Sequence, residues 1–316
     1  MTVEPATRST IIRAADALRI GELVAFPTET VYGLGGDATN ADAVARIFEM
    51  KCRPQFNPLI VHVADRETAV NHVEFNESAD RLAGAFWPGP LTLVLPKKRD
   101  SDICELVSAG LETIGVRVPF NPVAQELLRT AGVPVAAPSA NKAGRISPTR
   151  ATHVADDLGD GPAVILDGDF AAIGLESTII GFRDGHPVML RPGGIARKDI
   201  EQVLGEKLAR PVAGSAPTSP GQLESHYAPR AAIRLDATDV RKDEALLSFG
   251  MSHLDTDGPT ANLSPNGDLR EAAINFFSAL RELDASRCKT IAVVPIPDEG
   301  LGEAINDRLR RAAAPR

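Results

Sequence analysis

The sequence predicts an α/β (α+β) protein in which a mixed, twisted sheet covered by helices is followed by a second, smaller α/β unit. Three observations carry this expectation. Helical and extended apolar patterns alternate along the 316 residues, but irregularly and with neighbouring strands in places, which argues against strict βαβ repetition. Hydrophobic residues make up 43% of the chain and charged residues 24%, the balance of an ordinary globular protein, so general disorder is excluded. The composition then breaks between 210 and 230, where Pro211, Pro217, Pro220 and Pro229 alternate with Gly214, Ser215, Ser219 and Gly221. Such a stretch is a semi-rigid linker, and it divides a chain whose length suits about two domains.

The elements follow in order. Ser9 or Thr10 caps a first helix with Ile11, Ala15 and Leu18 on one face, and Gly21 ends it. Residues 23–26 form a short buried strand that runs into Pro27. Asn40 caps a second helix, with Asp42 in its first turn and Val44, Ile47 and Phe48 as its stripe. Residues 59–63 alternate as a strand, turning Leu59, Val61 and Val63 one way and Ile60 and His62 the other. Trp87-Pro88-Gly89-Pro90 is a turn before a strand at 91–95, with another strand at 113–118. Asn121-Pro122 opens a helix that Gly132 closes. Residues 134–137, 163–167, 178–182 and 188–191 complete the strands of the first unit. Beyond the linker, 231–235, 245–250 and 291–296 read as strands. Residues 269–283 read as a helix with Ala273, Phe276, Leu280 and Leu283 on one face, and a last helix follows Gly302.

Bulk properties narrow the function. A formal charge of −8 argues against a protein whose main task is gripping nucleic acid, though a local basic cleft remains compatible with it. Cys52, Cys104 and Cys288 are far apart and form no CxxC pair, which excludes a disulfide framework and common zinc spacings. No apolar h-region opens the chain and no run reaches a membrane span, so the expected location is the cytoplasm and no membrane partner is expected.

The chemistry-bearing residues sit at strand edges. Residues 27–35 place Thr28, Glu29, Thr30 and Tyr32 in a loop before glycines, with Gly35 and Gly36 suited to a polar turn at positive φ. Gly33 to Ala38 matches the G-x-G-x-x-A dinucleotide spacing, but the helix cap is Asn40 and no acid follows at the required distance, so that reading is rejected. Lys51 and Arg53 leave the end of a helix, either as a helix-end charge or as a phosphate clamp. Cys52 between them is a bystander. Arg117 shares a strand face with Thr113 and Gly115, and an arginine in an apolar strand requires a partner, either an internal acid or a substrate carboxylate. Ser139 and Asn141 follow a strand, Ser147-Pro148-Thr149 reads as a helix start and so an anion site, and Ser177 and Arg191 add a hydroxyl and a cation. No triad or metal-ligand spacing is present; the pattern suits a phosphate-bearing ligand held by charge-assisted bonds.

Taken together these segments resemble the threonylcarbamoyl-adenylate synthase family, the YrdC-type enzymes in their long, two-domain form. The resemblance spans nearly the whole chain and rests on FPTETVYGLG at 26–35, KCRP at 51–54, NPLIVH at 57–62, WPGPLTLVL at 87–95, APSAN at 137–141, ESTII at 176–180, LRPG at 190–193 and SPG-x4-HYAP at 219–229. It implies a YrdC-like catalytic domain over 1–207, a linker over 208–230 acting as an active-site lid, and a small C-terminal Rossmann-like α/β domain over 231–316. It also implies a nucleotidyltransferase reaction in which L-threonine, bicarbonate and ATP give threonylcarbamoyl-AMP and pyrophosphate. Mg²⁺ would be carried by the nucleotide phosphates, with no metal site of the protein's own. The product would pass to a tRNA threonylcarbamoyl-transferase complex, without stable direct nucleic-acid binding by this chain.

By the same resemblance Thr30, His62, Arg117, the Ala137 backbone and Ser177 line the threonine pocket. Arg53, Asn57, Thr113, Ser139, Asn141, Ser147, Arg191 and Tyr227 belong to the ATP side, with Lys51 on the triphosphate; Lys51, Arg53 and Arg117 would carry the catalysis. Gln222, Leu223, Glu224 and Ser225 stand where similar enzymes often carry Met and basic residues, which removes positive charge from that part of the lid. Two other classes compete: an RNA-binding module, disfavoured by the acidic charge and the lack of an RRM, KH or basic-aromatic signature, and an enzyme forming a related carbamoyl-adenylate, disfavoured by the absence of zinc-finger and acylphosphatase parts.

Overall fold

The fold is that of a computed structural model, which describes residues 3–211, 219–221, 224–251, 254 and 256–315. Its first unit contains β1 (Val3–Pro5), β2 (Val24–Phe26), β3 (Gly33–Asp37), β4 (Ile60–His62), β5 (Leu91–Pro96), β6 (Thr113–Arg117), β7 (Val135–Ala136), β8 (Val164–Asp167), β9 (Thr178–Arg183) and β10 (His186–Arg191). They form one ten-stranded mixed sheet in the order β1-β8-β2-β3-β7-β4-β6-β5-β9-β10. Its helices are α1 (Arg8–Arg19), α2 (Ala41–Lys51), α3 (Arg66–Val70), α4 (Glu77–Phe86), α5 (Glu105–Ser108), α6 (Pro122–Ala131), α7 (Ala151–Leu158) and α8 (Arg197–Leu204). The second unit holds β11 (Ala232–Arg234), β12 (Glu244–Ser248), β13 (Thr260–Asn262) and β14 (Thr290–Val293) with α9 (Leu269–Ala285) and α10 (Gly302–Ala313). Its four strands are parallel in the order β11-β14-β12-β13. The mixed sheet and the smaller α/β unit match the predicted class.

Strand alternation divides the large sheet into two faces. Leu59, Val61, Val63, Ile114, Val116 and Val118 join the main core with Val44, Ile47 and Phe48 of α2, as their spacing predicts. Ile60, Val94 and Ile179 form a separate small apolar cluster, and it is this less covered face that carries His62 and Arg117. The second unit's core is separate from the main core but takes in residues from outside that unit: Val31, Ile146, Leu175 and Tyr227 pack in the same cluster as Phe276, Phe277 and Ile305. Ion pairs Arg281–Asp157 (2.6 Å), Arg197–Glu303 (2.6 Å) and Arg308–Glu176 (3.1 Å) tie the two units together. Of the linker, Gly214, Ser215, Pro217, Gln222 and Leu223 lie outside the described residues.

Several local expectations are corrected. The first helix is capped by Thr7, whose Oγ1 accepts from the Thr10 amide, rather than by Ser9 or Thr10; the chain arrives extended from β1, a strand its sequence does not announce. Gly35 and Gly36 are not turn residues: they lie inside β3. A Cβ on Gly35 would sit 2.8 Å from Phe26 Cε1 and Val135 Cγ1, and one on Gly36 2.9 Å from Leu23 Cδ2, so crowding between strands requires the glycines. Ser147-Pro148 does not start a helix; α7 begins at Ala151 with Arg150 as its cap residue and no side-chain capping bond. The segment is drawn away because the Pro148 carbonyl accepts from the Tyr32 amide and Ser147 Oγ donates to Glu176.

Candidate active site

β4 and β6 pair in parallel with Ile60 opposite Gly115 and His62 opposite Arg117. Neighbouring strands with matched alternation therefore turn His62 and Arg117 to the same side. A cavity of about 560 Å³, including its mouth, opens there. Thr30, His62, Arg117, Ala137 and Ser177 line it, as do Arg53, Ser139, Arg191 and Tyr227. Nine of the expected residues thus come from separate stretches of chain to one wall.

Arg117 is held by the protein's own groups. Its Nη2 donates to Glu29 Oε1 (2.6 Å), its Nη1 to Thr30 Oγ1 (2.9 Å) and its Nε to the Gly89 carbonyl (3.2 Å). The other oxygen of Glu29 accepts from the Phe120 and Asn121 amides at 3.0 and 3.3 Å. A guanidinium has five N–H groups, so these three bonds leave one hydrogen on each terminal nitrogen, the fork a carboxylate takes in bidentate fashion. His62, beside it, is pushed down to about 3 by burial and then by the Arg117 charge, so its imidazole is neutral, and its Nδ1 is buried without a hydrogen-bond partner.

The other arginines are held differently. Arg53 donates from Nε to the Asn57 carbonyl (3.0 Å) and from Nη2 to the Pro58 carbonyl (2.8 Å). Arg191 donates from Nε and Nη2 to the Ser177 carbonyl (3.2 and 2.8 Å) and from Nη2 to Ser177 Oγ (3.1 Å). Ser177 Oγ also meets Thr92 Oγ1 at 2.7 Å. Neither arginine has an acidic partner within salt-bridge distance among the described residues. Burial, with Arg191 nearby, pushes Arg53 down to about 9, and burial also lowers Arg191. Two buried charges answered by carbonyls and the Ser177 hydroxyl, with no acid in salt-bridge contact, leave a surplus that an anion would offset.

Five expected residues stand off the cavity wall. Lys51 Nζ is buried and donates to the Ser139 and Asn141 carbonyls at 2.5 Å each, and burial, with Arg53 adding repulsion, holds its pKa well below the usual lysine value. It buttresses the turn that presents Ser139 and does not face the cavity. Asn141 donates to the Lys142 and Arg145 carbonyls (2.8 and 2.9 Å), and Ser147 to Glu176 Oε1 (2.6 Å). Asn57 lends its carbonyl to Arg53, while its own Oδ1 is buried and unpartnered. Thr113 begins the strand that ends in Arg117, half-buried on the same face.

Sequence reasoning missed Glu29, Glu176 and His226 as site residues, although all three lie in or beside the quoted motifs. Glu176 and His226 line the cavity. The His226 amide donates to the Arg311 carbonyl (3.2 Å) and the Ala228 amide to the Gly144 carbonyl (2.8 Å), pinning Tyr227 between two units. Among the described residues no group of His, Cys, Asp or Glu is placed to hold a metal, and no helix is long and apolar enough to cross a membrane.

A guanidinium paired with an acid and two that have none in salt-bridge contact among the described residues, lining one cavity, define a protein whose site suits anionic small molecules. Comparison with known proteins makes the class particular. Residues 16–193 match the Sua5/YciO/YrdC family, described as telomere recombination, and residues 195–314 match the C-terminal domain of threonylcarbamoyl-AMP synthase. The chain is 41% identical to the threonylcarbamoyl-AMP synthase of Bacillus subtilis (strain 168), over 97% of this chain and 93% of that one. It is also 41% identical to that of Pyrococcus abyssi (strain GE5 / Orsay), over 95% of this chain and 93% of that one. The crystal structure of P. abyssi Sua5 complexed with L-threonine superposes with a TM-score of 0.89 at 39% identity, covering 97% of this chain and 95% of that one. The chain belongs to the threonylcarbamoyl-AMP synthase family, in its two-part form.

Proposed function

We infer that this chain condenses L-threonine, bicarbonate and ATP into threonylcarbamoyl-AMP, releasing pyrophosphate. The observation that carries the reading is one cavity with two kinds of arginine: Arg117, set by Glu29 and Thr30, and Arg53 with Arg191, which have no acid. The threonine amine and bicarbonate combine with loss of water to a carbamate. A carbamate oxygen then bonds to the α-phosphorus, the bond from that phosphorus to the bridging oxygen breaks, and pyrophosphate leaves. Because the carbamate is a weak, short-lived nucleophile, the site must position, neutralise charge and exclude water rather than supply a covalent group.

In this reading Arg117 takes the threonine carboxylate, and Thr30, neutral His62, the Ala137 backbone and Ser177 enclose the rest of the amino acid. Arg53, Ser139, Arg191 and Tyr227 face the nucleotide, which would run along the sheet face past Asn57 and Ile60 toward Thr113. Lys51, Asn141 and Ser147 work from behind, holding the turn and Glu176. Mg²⁺ enters as part of the nucleotide substrate, held by phosphate oxygens and water. The linker, through His226 and Tyr227, serves as the lid. The product goes to a tRNA threonylcarbamoyl-transferase in the cytoplasm.

Pyrophosphate release measured with each substrate omitted in turn tests this. Release must need threonine, bicarbonate and ATP together, and serine must serve poorly because the pocket contacts the methyl group. Equal turnover without threonine would refute the assignment.

A further inference from the structure

One large buried charge belongs to neither substrate's wall. Arg308, in α10 of the small-sheet unit, is 0% exposed and, among the described residues, heads the fully buried side chains by volume. Three of its contacts lead to segments that hand a residue to the cavity. Nε donates to Glu176 Oε2 (3.1 Å), and Glu176 precedes Ser177 and itself lines the cavity. Nη1 donates to the Pro192 carbonyl (2.5 Å), the residue after Arg191. The guanidinium carbon lies 5.4 Å from the centroid of the Tyr227 ring.

Tyr227 needs such a partner. Its φ of 62° lies in the left-handed region, where a bulky side chain is strained and persists only if its surroundings over-determine it. Phe277 packs on its ring at 5.7 Å between centroids, and Arg308 attracts the ring as a cation over a π face. Asp307 bonds Arg308 Nη1 at 3.1 Å and also receives Arg311 Nε, whose residue's carbonyl holds the His226 amide. Glu176 is shared as well: its second oxygen accepts from Ser147.

We propose that Arg308 is a positioning residue for the nucleotide end of the cavity: through Glu176, the Pro192 carbonyl and the ring of Tyr227 it sets how Ser177, Arg191 and Tyr227 meet ATP. Arg308 does not touch the cavity and is not a catalytic residue. The inference rests on the nucleotide reading above and assigns the small-sheet unit a part in the active site. It differs from a simple brace between units, which Arg197–Glu303 already supplies away from the cavity with Arg197 Nη2 2.6 Å from Glu303.

The full chain is assayed for pyrophosphate release over a range of ATP and threonine concentrations, as wild type, Arg308→Lys, Arg308→Met with Glu176→Gln, and Arg197→Met. The lysine keeps the charge but loses the fork. The double variant removes both buried charges at once, so it stays folded even if Arg308→Met alone does not. The expected result is a KM for ATP raised about tenfold or more in both Arg308 variants with a lower kcat. Threonine affinity, read by calorimetry without ATP, should shift by less than about threefold. Arg197→Met should lower Tm and leave both KM values near wild type. Arg308 variants that behave like Arg197→Met, or that lose threonine and ATP affinity equally, overturn the proposal while the synthase reading stands. A wild type without threonine-dependent release sinks both.

Discussion

The two ends of the cavity are built on opposite electrostatic plans. Arg117 is neutralised by Glu29, a carboxylate only 5% exposed whose second oxygen is taken by the Phe120 and Asn121 amides. Arg53 and Arg191 rest on carbonyls of Asn57, Pro58 and Ser177. The first end is therefore nearly neutral, and in the proposed reading it would select by the geometry of its two remaining N–H groups. The second end holds positive charge with no acid in salt-bridge contact among the described residues, which an anionic ligand would complete in the proposed reading. A small amino acid needs shape and orientation, whereas a triphosphate needs charge, and it is on this contrast that the proposed placement of the two substrates rests.

The sharpest way to break this contrast is Arg117→Ala. It removes the fork and also strands Glu29 as a buried, unpaired carboxylate, a loss of about 3–5 kcal/mol. The kcat/KM for threonine should fall about 10²–10³-fold, with a clear drop in thermal midpoint. A midpoint equal to wild type with a fall under about tenfold would show that the Glu29 pair does not organise this end.

Arg191→Ala should do less, and do it elsewhere. Its partners are neutral, so no acid is left behind; the loss is that of charge-assisted bonds to phosphate, about 1.5–3 kcal/mol. The KM for ATP should rise roughly 10–100-fold while threonine binding, measured calorimetrically, stays close to wild type and the thermal midpoint falls less than in Arg117→Ala. If both substitutions weakened threonine alike, the cavity would have one end and not two.

The sequence spoke unequally about these ends. The alternation of 59–63 and 113–118 placed His62 and Arg117 away from the core face, because a period of two is a local property of the chain. That Arg117 needed a partner was also legible, since an apolar strand cannot hide a lone charge; that the partner is Glu29, 88 residues away, depends on pairing no local pattern reveals. Lys51 shows a contact that no local pattern announced. A cation at a helix end beside Arg53 suggests a phosphate clamp, and the Ser139–Asn141 turn folds back so that two of its carbonyls accept from Nζ. Ser147 misled in a related way, its hydroxyl being claimed by Glu176 and not by a helix start. Arg308 left no signal, for its helix reads as basic and amphipathic and only the docking of two units buries that one side.

The smallest expected effect concerns pH, and it separates the ends by their histidines. His62 is pushed down to about 3 by burial and then Arg117; His226 is held well below the usual histidine value by burial and then by Arg53, Lys51, Arg191 and Arg308. Both are neutral when folded but take a proton near pH 6.5 when unfolded. Between that value and the lower folded one, the unfolded state binds more protons, so stability is complete above pH 6.5 and declines as pH falls through the window. Going from pH 7 to 5.5, each should lose about 1 kcal/mol, read as a lower urea midpoint at constant m. His153, pushed down to about 4 by burial, Arg281 and Arg150, adds the same trend away from the cavity. Ligands then discriminate. ATP brings negative charge beside His226, offsets the repulsion of four cations and should flatten its share of the decline, whereas threonine alone brings one carboxylate to the Arg117 end and should relieve only His62. Equal flattening by threonine and by ATP would mean that the two histidines sense one common field, and the distinction between the ends would have to be drawn from hydrogen bonding alone.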